Sequence, residues 1–226
     1  MENSNRKIIS RRDRPAKEPL SQELIVRTAY ELLKEQGVAG MSMRKVAKAL
    51  DTGPSSLYVY VKNLQDLSSF VLDYGLGQLV LPELKEDSWK ENLFGALNAY
   101  FLLLYEEPGL AELSFTTIPR GTNFLSLSEY ILTTLKDGGI NSKSAAWGLD
   151  LLLLYVSSVA YERTSRKKQG SVQISAIKES FQNADPVLFP ILLSLGEEMF
   201  SGDTKSMERF HWGLEVLLHG IQYFGN

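Results

Sequence analysis

Apolar residues recur along this chain at three- and four-residue steps, interrupted by proline and glycine, and show no sustained two-residue alternation. From Ser21 onward, Leu24, Ile25, Thr28, Ala29, Leu32 and Leu33 form one stripe, the spacing of a helix with one buried face. Ser21 suits the N-cap of that helix and Gly37 its stop. Ser42 can cap a second, shorter helix whose inward residues are Met43, Val46, Ala47 and Leu50. Asp51-Thr52-Gly53 reads as a turn. Pro54 then opens a third helix over 54–61, because a first-turn residue needs no amide hydrogen. A fourth helix is predicted over 63–81, stopped by Pro82. Further helices are predicted over 88–106, 109–117, 123–136, 142–167, 172–183, 186–196 and 204–224. The pattern predicts an all-α protein with a three-helix domain at 20–66 and a larger helical domain at 67–226. Residues 1–19 are charged, hold Pro15 and Pro19, lack helical periodicity, and read as a flexible basic arm.

Composition narrows the function classes. Of the 226 residues, 44% are hydrophobic, enough for a packed core, and none is cysteine, so disulfide and thiolate chemistry are excluded. No apolar leader opens the sequence, and the longest apolar stretch, 149–160, is shorter than the roughly 20 residues a bilayer needs. A soluble cytoplasmic protein without a membrane partner is expected. The net charge of −3 is unevenly spread: residues 1–66 hold twelve Lys and Arg against eight Asp and Glu, a balance of +4, leaving −7 for the remainder. A basic head on an acidic body is what a protein shows when only its head meets phosphate.

The first three helices, with a three-residue turn between the second and third, make a helix-turn-helix. Arg44, Lys45 and Lys48 lie on the second helix, and Ser55, Ser56, Tyr58, Tyr60 and Lys62 on or beside the third. A recognition helix presents its N-terminal residues to base edges, and small residues there permit close approach. Tyr58 has two readings, a backbone contact to DNA or a ring packed in the core. The arm also has two, a solubilising tail or a minor-groove contact.

Residues 21–67 resemble the N-terminal domain of TetR-type regulators. The resemblance is carried by Glu35-Gln36-Gly37, by Met41-Ser42-Met43-Arg44-Lys45-Val46-Ala47, and above all by Ser56-Leu57-Tyr58-Val59-Tyr60-Val61-Lys62-Asn63. It extends to 108–113 and to 210–221, the latter similar to tetracycline-repressor-like members. It implies a ligand-released DNA-binding repressor that works as a homodimer on double-stranded operator DNA. On that resemblance Arg44 touches a base or phosphate, as part of a set with Lys45. Ser42, Ser56, Tyr58, Tyr60 and Lys62 touch the DNA backbone, and Gly53, Pro54 and Ser55 stand where bases are read. Leu64 replaces a lysine that the family often carries.

For the larger domain, the resemblance gives the 142–167 helix two faces, one lining a ligand cavity and one packed across a dimer. Trp147, Asp150, Leu151 and Leu154 are expected on the cavity face, joined by Phe94, Asn98, Phe101, Tyr105, Phe115 and Phe124 to make an aromatic site for a small-molecule effector. Asp150, among leucines, is expected to be paired, neutral, facing a polar cavity, or turned to solvent. Leu152, Val156 and Val159 are expected at the dimer seam, with Phe210, Gly213, Leu214, Leu217 and Ile221 of the last helix. The only histidines, His211 and His219, are eight residues apart on that helix, about 12 Å along its axis, too far to share a metal within one chain. No cofactor, no metal and no catalytic constellation is expected. The alternative is a helical ligand-binding or scaffolding protein that binds DNA weakly, a reading kept open by the few hydrogen-bonding groups at 53–55.

Overall fold

A computed structural model describes residues 18–169, 172–201 and 207–225. The basic arm, apart from Glu18 and Pro19, lies outside them, as does the predicted start of the last helix at Thr204. The described residues form helices and connecting turns with no strand. Helix α1 (Gln22–Gln36) is capped by Ser21, whose Oγ accepts from the Leu24 amide at 3.1 Å, and ends at Gly37, where φ is +68°. It buries Ile25, Val26, Ala29, Tyr30 and Leu33. A single 3₁₀ turn leads to α2 (Met43–Ala49), and Asp51–Gly53 turns the chain into α3 (Pro54–Leu57).

Regular helix in α3 ends at Leu57, earlier than the predicted Val61. One more loosely wound turn follows, with the Val61 amide donating to the Leu57 carbonyl at 3.0 Å. The chain cannot continue helically, because Asn63 is fully extended (φ −164°, ψ −179°) to cap α4 (Leu64–Leu76), accepting from the Asp66 amide at 2.8 Å. Asp66 in return accepts from the Lys62 amide at 3.0 Å, a reciprocal lock on the helix start. Helix α4 also stops short of the predicted Leu81. Gly75 and Gly77 weaken its last turn, and residues 79–85 run as an extended connector. Asn92 pins that connector by exchanging two hydrogen bonds with the backbone of Lys85.

The larger domain contains α5 (Trp89–Glu106), α6 (Pro108–Thr116), α7 (Thr122–Asp137), α8 (Ser142–Gln169) and α12 (Glu208–Gly225). Helix α8 is central and packs against α5, α6, α7 and α12. Over Ser142–Lys167 it is long and apolar enough to cross a membrane by length and composition. Its burial of Leu152, Val156 and Ala160 against those neighbours makes it a bundle core helix. Between α8 and α12 lie α9 (Val172–Gln182) and two short helices, α10 (Pro190–Ser194) and α11 (Gly196–Met199), in place of the single helix predicted over 186–196. Neither short helix buries a residue.

The predicted boundary at 66/67 is not a gap in packing. One apolar core runs from Ile25 to Ile221, and α4 contributes Leu67, Val71, Leu72 and Leu76 to it. Helix α4 packs on α1 on one side and on α6 and α7 on the other. The connector from α6 to α7 is strapped along it. Asp66 lies 4.0 Å from Arg120, Ser69 Oγ donates to the Ile118 carbonyl at 2.8 Å, and Asp73 accepts from the Phe124 amide at 2.9 Å. Positions 66, 69 and 73 fall on one helical face. Asp73 also places its charge at the N-terminus of α7, the favourable end of that helix's dipole.

Gly121 (φ +157°) passes directly over the Asp73 carboxylate, and a β-carbon there would overlap it. Gly121→Ala is therefore expected to expel Asp73 from its bonds and destabilise the fold by about 1–3 kcal/mol. Urea unfolding of the two proteins checks this; an unchanged midpoint would mean that the strap contributes nothing.

Candidate nucleic-acid interface and sensor surfaces

The helix-turn-helix sorts its polar residues into two groups. Some serve the fold. Ser42 caps α2, its Oγ accepting from the Lys45 amide at 3.3 Å. The Lys45 ammonium is turned back onto the α1–α2 connection, donating to the Ala39 carbonyl at 2.9 Å and to Gln36 Oε1 at 3.3 Å. Lys45 is nonetheless exposed, so these bonds give its ammonium partners within the chain without burying it. Gly53 caps α3, and the Tyr60 carbonyl accepts from Gln22.

The others face outward. Arg44, Lys48, Pro54, Ser55, Tyr58, Tyr60 and Lys62 are exposed, and Ser56 is half-buried. Tyr58 is 55% exposed, which removes its reading as a core ring. Leu57 and Val61 point the opposite way and are fully buried. The outward face therefore offers cations, hydroxyls and small residues around the start of a short helix, the inventory that suits phosphate and the major groove.

Reader and sensor meet at α1. The Lys34 ammonium pairs with Glu107 at 3.2 Å, ahead of α6, and lies over the Tyr30 ring. Tyr30 OH is hydrogen-bonded by Gln78 and its ring meets Tyr74 edge-on. Burial raises the Tyr30 phenol above its ordinary pKa, and the Gln78 bond partly offsets this. Beside this contact opens a cleft of about 500 Å³, walled by Tyr30, Lys34, Tyr74, Gln78 and Asn123 among others.

In the larger domain α8 turns its predicted seam residues inward and its predicted cavity residues outward. Leu152 and Val156, expected at a dimer seam, are buried within the chain; Val159 is half-buried against the same core. On α12, Phe210, Leu214 and Ile221 are likewise buried, and Leu217 packs against them. Gly213 serves close packing inside the chain: a β-carbon there would overlap the Tyr155 ring, whose hydroxyl donates to the Phe210 carbonyl at 3.2 Å. These residues are spent on joining α8 to α12. Conversely, Trp147, Asp150, Leu151 and Leu154, expected to line a cavity, face outward, with Trp147 68% exposed. Asp150 is solvent-facing, so its carboxylate is hydrated and needs no partner within the chain.

The remaining expected cavity residues divide. Asn98, Phe101 and Tyr105 on α5 do meet α8 and α12. Phe101 stacks on Tyr105 at 5.9 Å and tilts against Phe210 at 4.7 Å, with Arg163 over its ring. Asn98 Oδ1 accepts from His211 Nε2 at 2.9 Å. Phe115 stacks on Tyr161 at 5.4 Å on the α6 side. Phe94 and Phe124 are half-buried against the core with no ring contact to this cluster among the described residues. Sequence reasoning missed Tyr155 and His211, which only the crossing of α8 with α5 and α12 brings there. It also missed Tyr130 on α7, whose buried hydroxyl has no hydrogen-bond partner among the described residues and whose phenol pKa is raised by burial. Among the described residues no group of three or more His, Cys, Asp or Glu could hold a metal ion.

Comparison with known proteins agrees with this arrangement. Residues 25–67 match the model of the bacterial regulatory proteins of the tetR family, and residues 81–224 that of the tetracyclin repressor-like C-terminal domain. An HTH-type transcriptional regulator of Saccharopolyspora erythraea is 30% identical over 161 residues, covering 71% of this chain and 68% of that protein. The HTH-type transcriptional repressor DrrR1 of Streptomyces coeruleorubidus is 24% identical, with 92% and 81% covered. Among solved structures, the TetR family protein ActR of Streptomyces coelicolor in complex with actinorhodin superposes with a TM-score of 0.82 at 30% identity, covering 92% of this chain and all of that one. Two family models that together span most of the chain, over the same helix-turn-helix and helical bundle, settle its kinship: the chain belongs to the TetR family of bacterial regulatory proteins and is a ligand-responsive, DNA-binding transcriptional regulator.

Proposed function

We propose that the chain is a cytoplasmic, dimeric repressor whose two readers straddle a two-fold operator and which releases DNA when a small molecule enters the sensor. The observation that carries the DNA half of this reading is the outward face of α2 and α3, where Arg44, Lys48, Ser55, Tyr58 and Lys62 are exposed together. Arg44 reaches a base or phosphate, and Lys62 and the hydroxyls hold the backbone.

The dimer is proposed on the faces of α8 and α12 that the chain leaves uncovered. Trp147, Leu151 and Leu154 form a stripe on α8, and Trp212, Val216 and Tyr223 form one on α12, with Trp212 68% and Tyr223 78% exposed. The two helices pack side by side, so the stripes adjoin. Exposed tryptophans and leucines over two adjacent helices favour a partner presenting the same face, giving a four-helix seam about a two-fold axis.

For the effector, the cluster of Asn98, Phe101, Tyr105 and His211 supports a flat, mostly apolar molecule with a few hydrogen-bonding groups. Such a molecule would compete for the Asn98–His211 bond. ActR binds actinorhodin. Displacement of α6 would reach the reader through the Lys34–Glu107 pair and the strapped α4, moving two readers off the groove repeat of about 34–36 Å.

Three outcomes are expected. Arg44→Ala should weaken operator binding by about 1–3 kcal/mol. Lys62→Ala should weaken all duplexes alike and lower the salt slope by about one. Lys45→Ala should leave DNA affinity nearly unchanged; fluorescence anisotropy across a salt series checks all three. In sedimentation, Val216→Glu should yield folded monomers, whereas Gly213→Glu should unfold the chain; a dimer that persists in Val216→Glu would place the seam elsewhere. A thermal-shift screen of flat aromatic compounds, actinorhodin among them, should find at least one that raises Tm and releases operator over the same concentration range. Asn98→Ala should lose that response while still binding DNA.

A further inference from the structure

The large hydrophobic residues that the reader leaves exposed are Tyr58, Val59, Tyr60 and Leu64, all within one seven-residue stretch. Val59 stands apart from the rest. It is 80% exposed, the most of the four, and it lacks the hydroxyl that keeps a tyrosine at home in water. The fold dictates where it points. The Val61 amide donates to the Leu57 carbonyl, so the chain keeps a helical turn across 57–61, and Leu57 and Val61 are both fully buried. At about 100° per residue, position 59 lies roughly opposite that buried row. Ser55, four residues earlier, shares its side, and both Ser55 and the nearby Lys62 are exposed.

An aliphatic side chain in the middle of this outward row has no use for phosphate. Its neighbours Ser55, Tyr58 and Lys62 carry the polar contacts. Among the groups that a major groove offers, the 5-methyl of thymine is the apolar one. Pro54 and Ser55 supply few hydrogen bonds to base edges, which leaves room for readout by apolar contact. We propose that Val59 is a specificity-determining residue that packs on the 5-methyl group of a thymine in each operator half-site. This rests on the DNA-binding reading above and states which base that face selects.

The experiment uses the full chain and a duplex enriched by it from a random pool. Each thymine of that duplex is replaced in turn by deoxyuridine, which keeps base pairing and removes only the methyl group. At one position per half-site, wild-type affinity should fall about fourfold, the value of burying one methyl-sized apolar group. Val59→Ala should bind the thymine duplex more weakly and be indifferent to uracil at that position, while retaining the wild-type Tm because the side chain is exposed. A merely structural role would not couple the variant to a single methyl group. Wild-type affinity unchanged by every replacement, or a Val59→Ala protein that still distinguishes thymine from uracil there, would overturn the proposal while leaving the repressor reading intact. Failure of the wild type to enrich any duplex would overturn both.

Discussion

Helix α4 is held from both sides at once, and the rest of the molecule depends on that. Its apolar residues Leu67, Val71, Leu72 and Leu76 belong to the core that the reader and sensor share. Its polar residues Asp66 and Ser69 meet Arg120 and Ile118 of the α6–α7 connector, and Asp73 accepts from Phe124 in the first turn of α7. A closely packed helix of this kind shifts as a body or not at all. The reader, which rests on α4 through α1, is carried with it. Helix α4 is thus the element that joins the packing of the reader to that of the larger domain.

A second constraint is that α8 has more neighbours than one face can serve. Its inward residues are taken by α5, α6, α7 and α12 of its own chain, with Tyr155 seated on Gly213. The apolar stripe left over, Trp147 to Leu154, stays exposed among the described residues. The same logic explains the sensor cluster. Phe101, Phe210 and Tyr155 stack in sequence across three helices, so the aromatic surface near Asn98 and His211 is built by the crossing of helices and not by any one of them.

Capping shapes the reader in a comparable way. Ser42, Gly53 and Asn63 each start a helix, and Lys45 ties α2 back to α1. Residues used in this way have hydrogen-bonding or capping tasks within the fold. The side chains of Arg44, Lys48, Ser55, Tyr58, Val59 and Lys62 have no such task among the described residues and are exposed.

Local pattern was enough to determine the all-helical class, the helix-turn-helix, the caps at Ser21 and Ser42, and the exposed Arg44 and Lys62, because caps, turns and amphipathic stripes are contacts within a few residues of chain. It was not enough to end α3 at Leu57 or α4 at Leu76, since those ends answer to the Asn63 cap and to the glycines at 75 and 77 acting with the packing around them. Nor could it orient α8. That helix is apolar nearly all round, so periodicity shows two candidate faces with no sign of which is inward. Only the tertiary structure decided that Leu152 and Val156 go to the chain's own core while Trp147 and Leu151 go outward, because the choice is made by α5, α6 and α12, elements distant in sequence. Asp150 follows the same rule: it goes outward with Leu151 and Leu154 and not into the core.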